Sequence, residues 1–336
     1  MPAVRTEITE IVTGLAMLGY RDLKQALEVR PGHILNVDGE HFDRLDAART
    51  SGDYEVEFET AWANGALFAR AEDGLRGRPP WSIEWKGPHR PPGYEQIPAD
   101  LRIDHVYLVS CKYGSSILHN VSPSHLFERG LAERRVDRGN DWFAEVAPEA
   151  YDALWRAYRR ELQLSSLPET VAELNPDHRR AIKQAGTRGR WPGEAEAVYG
   201  DFVLAVAHAS AQRWLDSLPT PAAREEMVWR LLRLQAAPYF VLGADLAGEP
   251  LRYRVQTPWD FRADHKLKSF DVWPDPAGQP LVRWRADVVD RHTGQRRAVA
   301  GHVEIRWSHG RFSGAPEAKV HLETPAHQVA GYVPLD

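Results

Sequence analysis

The spacing of apolar residues changes several times along the 336-residue chain, and these changes limit the folds that it can adopt. Residues 3–30 have the spacing of two short helices, and residues 54–75 have that of a longer one. Residues 141–235 look mainly helical between prolines, whereas residues 239–333 contain alternating runs separated by glycine turns. Helical and strand patterns thus occupy separate stretches, which predicts an α+β fold.

Three short alternating runs lie between the long helix and the helical middle region. Residues 81–86 predict one strand, and residues 100–103 and 106–113 predict a hairpin. Ser124 is the predicted N-cap of the helix that follows. The order from residue 54 to 131 is therefore helix, strand, strand, strand, helix.

Composition excludes several classes of protein. The chain is 43% hydrophobic and 26% charged, as in a globular protein, and its single cysteine, Cys111, allows neither an internal disulfide nor a cysteine-based zinc site. It has no apolar run of the roughly 20 residues that span a bilayer. Met1–Tyr20 does not resemble a signal peptide, so we expect a cytoplasmic protein that does not bind membranes. A net charge of −5 argues against a non-specific nucleic-acid coat.

The predicted hairpin brings together an acid and a lysine. Asp100 begins its first strand and Lys112 ends its second, and these two ends lie side by side in a hairpin. Ser110 and Lys112 share one face because side chains alternate along a strand. Cys111 faces the other way, and we interpret it as a small apolar residue that packs in the core. Asp104 belongs in the turn, since on one unbroken strand it would lie roughly 26 Å from Lys112. Lysine is scarce in this arginine-rich chain, so Lys112 stands out.

A carboxylate and a lysine at one sheet end suit metal-dependent hydrolysis. Asp100 would bind Mg²⁺, the ion would generate the attacking hydroxide, and Lys112 would position it or steady a phosphate. Ser110 would bond a water on the ion. We therefore expect a Mg²⁺ site at this end of the hairpin.

Asp100 followed by Ser110-Cys111-Lys112, within the predicted helix–strand–hairpin–helix unit, resembles the PD-(D/E)XK nuclease superfamily. The resemblance covers residues 54–131, with Pro98-Ala-Asp100 as the Pro-Asp element and Ser110-Cys-Lys112 as the (D/E)-X-K element. It implies a restriction-endonuclease-like mixed sheet flanked by helices, and Mg²⁺-dependent cleavage of phosphodiester bonds. The alanine after Pro98 is a tolerable departure, because that proline has no chemical role.

Serine at position 110 is the more serious departure, because the family normally has a second carboxylate there. Some type II restriction endonucleases resembling this pattern also carry Ser-X-Lys and take the missing acid from the following helix. By that likeness Glu128 would complete the metal site. The preceding helix offers Glu55, Glu57 and Glu59, of which Glu59 is the preferred candidate.

The expected protein is a DNA endonuclease of restriction or defence type, with Mn²⁺ substituting for Mg²⁺. Its substrate would be double-stranded DNA, and cutting two strands favours a homodimer. A second hypothesis is a nuclease-like module without catalysis that binds nucleic acid or a protein partner. A third is an unrelated α+β protein that binds a small ligand through its C-terminal β region.

Two further acid-X-lysine triplets compete with the hairpin site. Glu84-Trp-Lys86 lies on the preceding predicted strand, where it reads more simply as the polar face of that strand. Glu317-Ala-Lys319, with Glu304 upstream, mimics the same arrangement, but no helix brackets it.

Residues expected to contact DNA lie in the second half of the chain. The densest basic run contributes Arg179, Arg180, Lys183 and Arg188, and it is either a phosphate-contacting loop or a solvated surface. Arginine also alternates with aromatic residues, as at Arg306-Trp307, which would suit base stacking or a β domain with a tryptophan core.

The predicted division of the chain has four parts. They are an N-terminal helical segment, a nuclease-like core, a helical region and a β-rich domain, with the bounds 1–50, 51–140, 141–237 and 238–336.

Overall fold

A computed structural model describes most of the chain, with the bounds 4–87, 99–132, 141–186, 189–275 and 278–335. These residues form an α+β protein with a mixed sheet and flanking helices, which confirms the predicted fold class at this coarse level. Among them, no helix is long and apolar enough to cross a membrane.

The helices are α1 (Val4–Ala16), α2 (Leu23–Val29), α3 (Gly39–Ser51), α4 (Glu55–Arg70), α5 (Pro123–Phe127), α6 (Trp142–Val146), α7 (Pro148–Glu161), α8 (Pro176–Ala185), α9 (Ala195–Ser217), α10 (Pro221–Leu231) and α11 (Pro258–Asp264). The strands are β1 (Ile34–Leu35), β2 (Ile83–Trp85), β3 (Leu101–Ile103), β4 (Tyr107–Tyr113), β5 (Ile117–Val121), β6 (Tyr239–Ala244), β7 (Pro250–Val255), β8 (His265–Pro274), β9 (Leu281–Asp290), β10 (Arg296–Arg306), β11 (Glu317–Leu322) and β12 (Tyr332–Pro334). Single 3-10 turns lie at Val171–Glu173 and Ala326–Gln328.

The chain divides into two compact units, and each is built from separated segments. Unit 1 contains Met1–Ser116, Leu234–Asp264 and Ala326–Asp336, and unit 2 contains Ile117–Arg233 and His265–Pro325. This differs from the division predicted from the sequence, which followed the chain in consecutive blocks. The difference arises because strands from distant parts of the chain pair with one another.

Unit 1 is organised around a mixed sheet with the strand order β1-β2-β3-β4-β6-β7-β12. β3 and β4 form the predicted antiparallel hairpin, and β4 pairs in parallel with β6, with Val109 opposite Phe240. Parallel neighbours need a long connection, and here most of unit 2 intervenes between these two strands.

One face of this sheet is covered by α1 and α4. Their apolar stripes, including Ile11 and Leu15 of α1 and Phe58 and Phe68 of α4, form one core with alternate residues of the strands. Helix ends follow ordinary capping rules: Asp38 begins α3 with a capping box that includes His41. Because side chains alternate along β4, those that lie between its core residues are on the other face of the sheet.

Unit 2 combines a helical layer with an antiparallel sheet of order β5-β11-β10-β9-β8. The long helix α9 packs against β8 and β9, where Trp214 contacts Phe270 edge-on with ring centroids 5.8 Å apart. An aromatic core joins α6, α7 and α9 to the segment after β10, and it includes Phe143, Tyr151 and Trp307. Of the tryptophans of the predicted β region, Trp284 is buried on β9, whereas Trp259 and Trp273 are exposed.

Several local predictions need correction. The N-cap of α5 is Ser122, not Ser124, because Pro123 already occupies the first helical turn. The structure also contains α3 and β1, which the sequence patterns did not predict. β5 follows the hairpin before α5 and pairs in the sheet of unit 2, so the predicted helix–strand–strand–strand–helix order omits one strand.

The close approach of β4 and β6 requires glycine at position 243. A Cβ added there would overlap the carbonyl oxygen of Lys112, and the Gly243 carbonyl already accepts a hydrogen bond of 3.0 Å from Asn64. We expect Gly243→Ala to destabilise the protein by about 3 kcal/mol, since the backbone itself must shift. Chemical denaturation would measure this loss, with Gly39→Ala, which adds a methyl in open space, as the control. Equal stability of the two variants would contradict the expected strand spacing.

Candidate functional site

The turn of the β3–β4 hairpin is fixed by Asp104. This residue and His105 adopt positive φ values of 51° and 59°, and the Asp104 carboxylate accepts hydrogen bonds from the amides of Trp81 and Ser82 at 2.7 and 3.0 Å. Burial acts to raise the pKa of Asp104, but these amides and the guanidinium of Arg78 together lower it. Asp104 therefore lies in the turn as predicted and has a structural role there.

Asp100 lies at the opposite end of the hairpin and contacts the Ser-X-Lys segment directly. Its Oδ2 accepts a hydrogen bond of 2.6 Å from the amide of Cys111 and one of 3.3 Å from Oγ of Ser110. Two donors converge on one oxygen, so they fix the carboxylate beside β4. The sequence predicts that Asp100 meets Lys112, whereas these hydrogen bonds join Asp100 to Ser110 and Cys111, so the contact with Lys112 stays a prediction.

Lys112 shares a strand face with Ser110. Val109, Cys111 and Tyr113 alternate toward the core under α1 and α4, which leaves Ser110 and Lys112 on the other face of β4. Ser110 is only 2% exposed, and Lys112 is half-buried. The ammonium group of Lys112 and the hydroxyl of Ser110 thus lie on one face of β4, largely shielded from solvent.

The neighbouring strand leads to Lys86, the last residue of the Glu84-Trp-Lys86 triplet. The amide of Lys86 donates a hydrogen bond of 2.9 Å to the carbonyl of Asp100, so the two residues are opposite each other across β2 and β3. Lys86 is only 6% exposed. Glu84 lies two residues earlier and forms an ion pair with Arg102 of β3. The candidate site therefore has two lysines, on either side of Asp100.

A further carboxylate lies on the α1 side of the sheet. Glu10 accepts a hydrogen bond of 2.6 Å from Nε1 of Trp85, the residue before Lys86. Burial raises the pKa of the Cys111 thiol, and the charges of Asp100 and Glu10 raise it further. No sequence pattern marks Glu10, because its position depends on how α1 docks on the sheet.

The two glutamates predicted to complete the site occupy other positions. Glu59 is exposed on α4, whose buried side packs against the sheet face opposite to Ser110. Glu128 belongs to unit 2, where it forms an ion pair of 2.7 Å with Arg213. Their roles as metal ligands remain predictions.

The residues predicted to contact DNA all fall in unit 2, and several have structural partners there. Arg179 donates a hydrogen bond of 2.9 Å to the carbonyl of Phe312 and lies 3.7 Å from Asp141. Arg180 pairs with Asp177 on the exposed side of α8, and Lys183 is exposed on the same helix.

Two other predicted positions lie outside the described residues: Arg188 of the basic run and Pro98 of the Pro-Asp element.

Arg306 and Trp307 are adjacent in sequence but lie in different environments. Arg306 is exposed and lies 3.2 Å from Glu304, whereas the Trp307 ring stacks parallel to that of Phe202 with centroids 5.9 Å apart. In the rival triplet, Lys319 is directly opposite Glu304 in the β10–β11 ladder. This is an ordinary cross-strand pairing of opposite charges.

The hairpin end offers few protein ligands for a divalent cation. The described residues contain no group of three or more histidine, cysteine, aspartate or glutamate side chains that could hold a metal ion. Mg²⁺, however, often binds through one or two carboxylates, with water and substrate phosphate as the other ligands. Asp100 by itself fits this minimal requirement, because Glu10 belongs to α1, which covers the sheet face opposite to Ser110.

Comparison of the chain with protein-family models, curated proteins and solved structures found no match.

The environment of Cys111 makes a prediction about thiol reactivity. Its raised pKa keeps the thiol protonated at neutral and mildly alkaline pH, and the thiolate is the reactive form. We expect a disulfide reagent at pH 8 to label native protein at least about a hundredfold more slowly than a free cysteine, which has a pKa of about 8.5. Protein unfolded in guanidinium chloride is the control and should label fully. Rapid labelling of the native chain would place Cys111 outside the core.

Proposed function

We propose that the protein is a Mg²⁺-dependent DNA endonuclease of the PD-(D/E)XK type, with its catalytic centre at the end of the β3–β4 hairpin. The observation that carries this proposal is the contact of Asp100 with the Ser110-Cys111-Lys112 segment at 2.6 and 3.3 Å. It supports the resemblance because Asp100 and the Ser110-Cys111-Lys112 segment are the two elements of the motif. They are separated in sequence by the rest of the hairpin, and they lie side by side in the structure. The mixed sheet with helices is compatible with the restriction-endonuclease-like fold.

Each residue has a separate role in this proposal. Asp100 would hold the cation, with Glu10 as the second acid to be tested, and the bound cation would activate water and neutralise charge on the phosphate. Ser110 steadies Asp100 by its hydrogen bond, and the amide of Cys111 does the same. Lys112 would orient the attacking water, and Lys86 would stabilise the negative charge that develops on the phosphate oxygens. Cleavage of both DNA strands would use a homodimer.

A nucleic-acid-binding module without catalysis is the second candidate, and the chemistry of Ser110 favours it. The serine replaces a carboxylate with a neutral hydroxyl, so one negative charge is missing from the metal site. Its hydroxyl also donates to Asp100, rather than serving only as an oxygen ligand. Under this proposal the same face would bind a phosphate backbone through Lys86 and Lys112 without breaking it.

Cleavage of supercoiled plasmid in Mg²⁺ or Mn²⁺ tests the first proposal. We expect nicked and linear products from the wild-type chain, and a loss of at least about a hundredfold in rate for Asp100→Ala and for Lys112→Ala. Asp100→Asn, which keeps the shape and loses the charge, separates metal binding from folding. Lys319→Ala tests the rival triplet and should cleave as the wild type does.

Two outcomes separate the candidates. Retention of DNA on the protein without cleavage in either metal would favour the binding module, provided that Lys86→Ala and Lys112→Ala weaken retention. Cleavage that survives Asp100→Ala but not Lys319→Ala would move the centre to β11 and contradict the proposal.

The identity of the second acid gives a separate prediction. Glu10→Gln keeps the hydrogen-bond acceptor for Trp85 and removes only the charge, so we expect normal stability and a cleavage rate reduced at least about tenfold. Glu55→Gln on α4 is the matched control. Glu59→Gln and Glu128→Gln examine the two acids predicted from the sequence. Loss of cleavage in either of these, together with full activity of Glu10→Gln, would rule out the role given to Glu10.

A further inference from the structure

Unit 2 contains a cavity whose lining differs from the site on the hairpin. Its volume is about 620 Å³, within the size range of small-molecule sites, and every lining residue belongs to unit 2. Aromatic and arginine side chains dominate the wall. They are Trp191, Tyr199, Trp307, Arg190, Arg306 and Arg311.

Two of the aromatic residues of this cavity are already stacked on each other. Trp191 and Tyr199 lie nearly parallel, at an angle of 28°, with ring centroids 4.6 Å apart. The guanidinium of Arg311 lies 3.9 Å from the Trp191 centroid. Tyr199 is half-buried at the wall of the cavity, so a planar ring that entered it could extend the stack.

Arg311 is held in place by backbone carbonyls. It donates hydrogen bonds to the carbonyl of Gly189 and, at 3.4 Å, to that of Arg190. Among the described residues it forms no ion pair, whereas Arg190 lies 3.5 Å from Glu196 and Arg306 lies 3.2 Å from Glu304. Within the described part of the chain, Arg311 is therefore a preorganised positive charge without a carboxylate partner on the wall of this cavity.

The charge of the lining is opposite in sign to that of the whole chain. Three arginines and one glutamate, Glu196, line the cavity, although the protein carries a net charge of −5. A ligand that matches this wall combines a flat aromatic ring with a negatively charged group. Nucleotides have both, because the base stacks on aromatic rings and arginine binds phosphate through paired hydrogen bonds.

We propose that this cavity binds a single nucleotide, with its base against Tyr199 and Trp307 and its phosphate facing Arg311 and Arg306. The proposal is independent of cleavage at the hairpin, since it uses only residues of unit 2. The nucleotide could be a free nucleoside monophosphate, or it could be one nucleotide of a DNA strand whose base has left the stack. Both sources present the same chemistry to the cavity.

Calorimetric titration of the full chain in EDTA tests the proposal without cleavage of the probe. One set of probes is the four deoxynucleoside 5′-monophosphates, and the other is a duplex with a single unpaired base, beside the same duplex with an abasic position. We expect Arg311→Ala and Tyr199→Leu to weaken binding of the productive probe at least about tenfold. Tyr199→Phe keeps the ring and should bind as the wild type does. Arg160→Ala removes an exposed arginine that does not line the cavity, and it serves as the control.

Each outcome decides one point. Binding of free monophosphates that Arg311→Ala weakens supports a site for free nucleotide. Binding of the unpaired-base duplex alone, weakened by the abasic position and by Tyr199→Leu, supports a base taken from a strand. The proposal is overturned if no probe binds, or if Arg311→Ala and Tyr199→Leu bind as tightly as Arg160→Ala. If Arg311→Ala fails to fold, Arg311→Lys, which keeps the charge, is compared with Tyr199→Leu instead.

Discussion

The parallel pairing of β4 with β6 is the interaction on which the architecture of unit 1 depends. It joins Val109 to Phe240 across more than a hundred residues of chain, so closing this contact carries a large entropic cost. Burial of Val109, Phe240 and Leu242 beneath α4 offsets that cost. The segment that carries Ser110 and Lys112 is therefore an interior strand of a sheet whose halves come from distant parts of the sequence.

This position explains how β4 can serve two purposes. Its Cys111 and Tyr113 side chains belong to the core under α1 and α4, while Ser110 and Lys112 occupy the other face. A polar group on an interior strand needs a partner, because an unpaired buried polar group is costly. Asp100 supplies it, by accepting hydrogen bonds from both the Ser110 hydroxyl and the Cys111 amide. The same bonds that stabilise the strand thus fix the orientation of the carboxylate.

The features that could be predicted from sequence are those set by local pattern. Richness in Val, Ile, Leu and Tyr located the hairpin and the polar residue Asp104 located its turn, whereas the contact of Asp100 with Ser110 follows from the observed pairing of β3 with β4. Glu10 could not be found in this way, because its approach to Cys111 depends on how α1 docks on the sheet. Lys86 was present in a recognised triplet, but only strand order places it opposite Asp100. The division into two units could not be predicted for the same reason, because pairing between distant strands leaves no pattern in the local sequence.

The two candidate sites belong to different units and use their positive charge differently. Lysines flank Asp100 on a sheet, where compact ammonium groups can act close to a cation and a phosphate. Arginines line the aromatic cavity, where a planar guanidinium such as that of Arg311 stacks on Trp191 and still donates hydrogen bonds in its own plane. Because lysine is rare in this chain, its appearance on both sides of Asp100 cannot be attributed to the general excess of basic residues of one type. A single arginine is not informative in this arginine-rich chain. The arginines of the cavity indicate a ligand site only because stacked aromatic rings lie beside them.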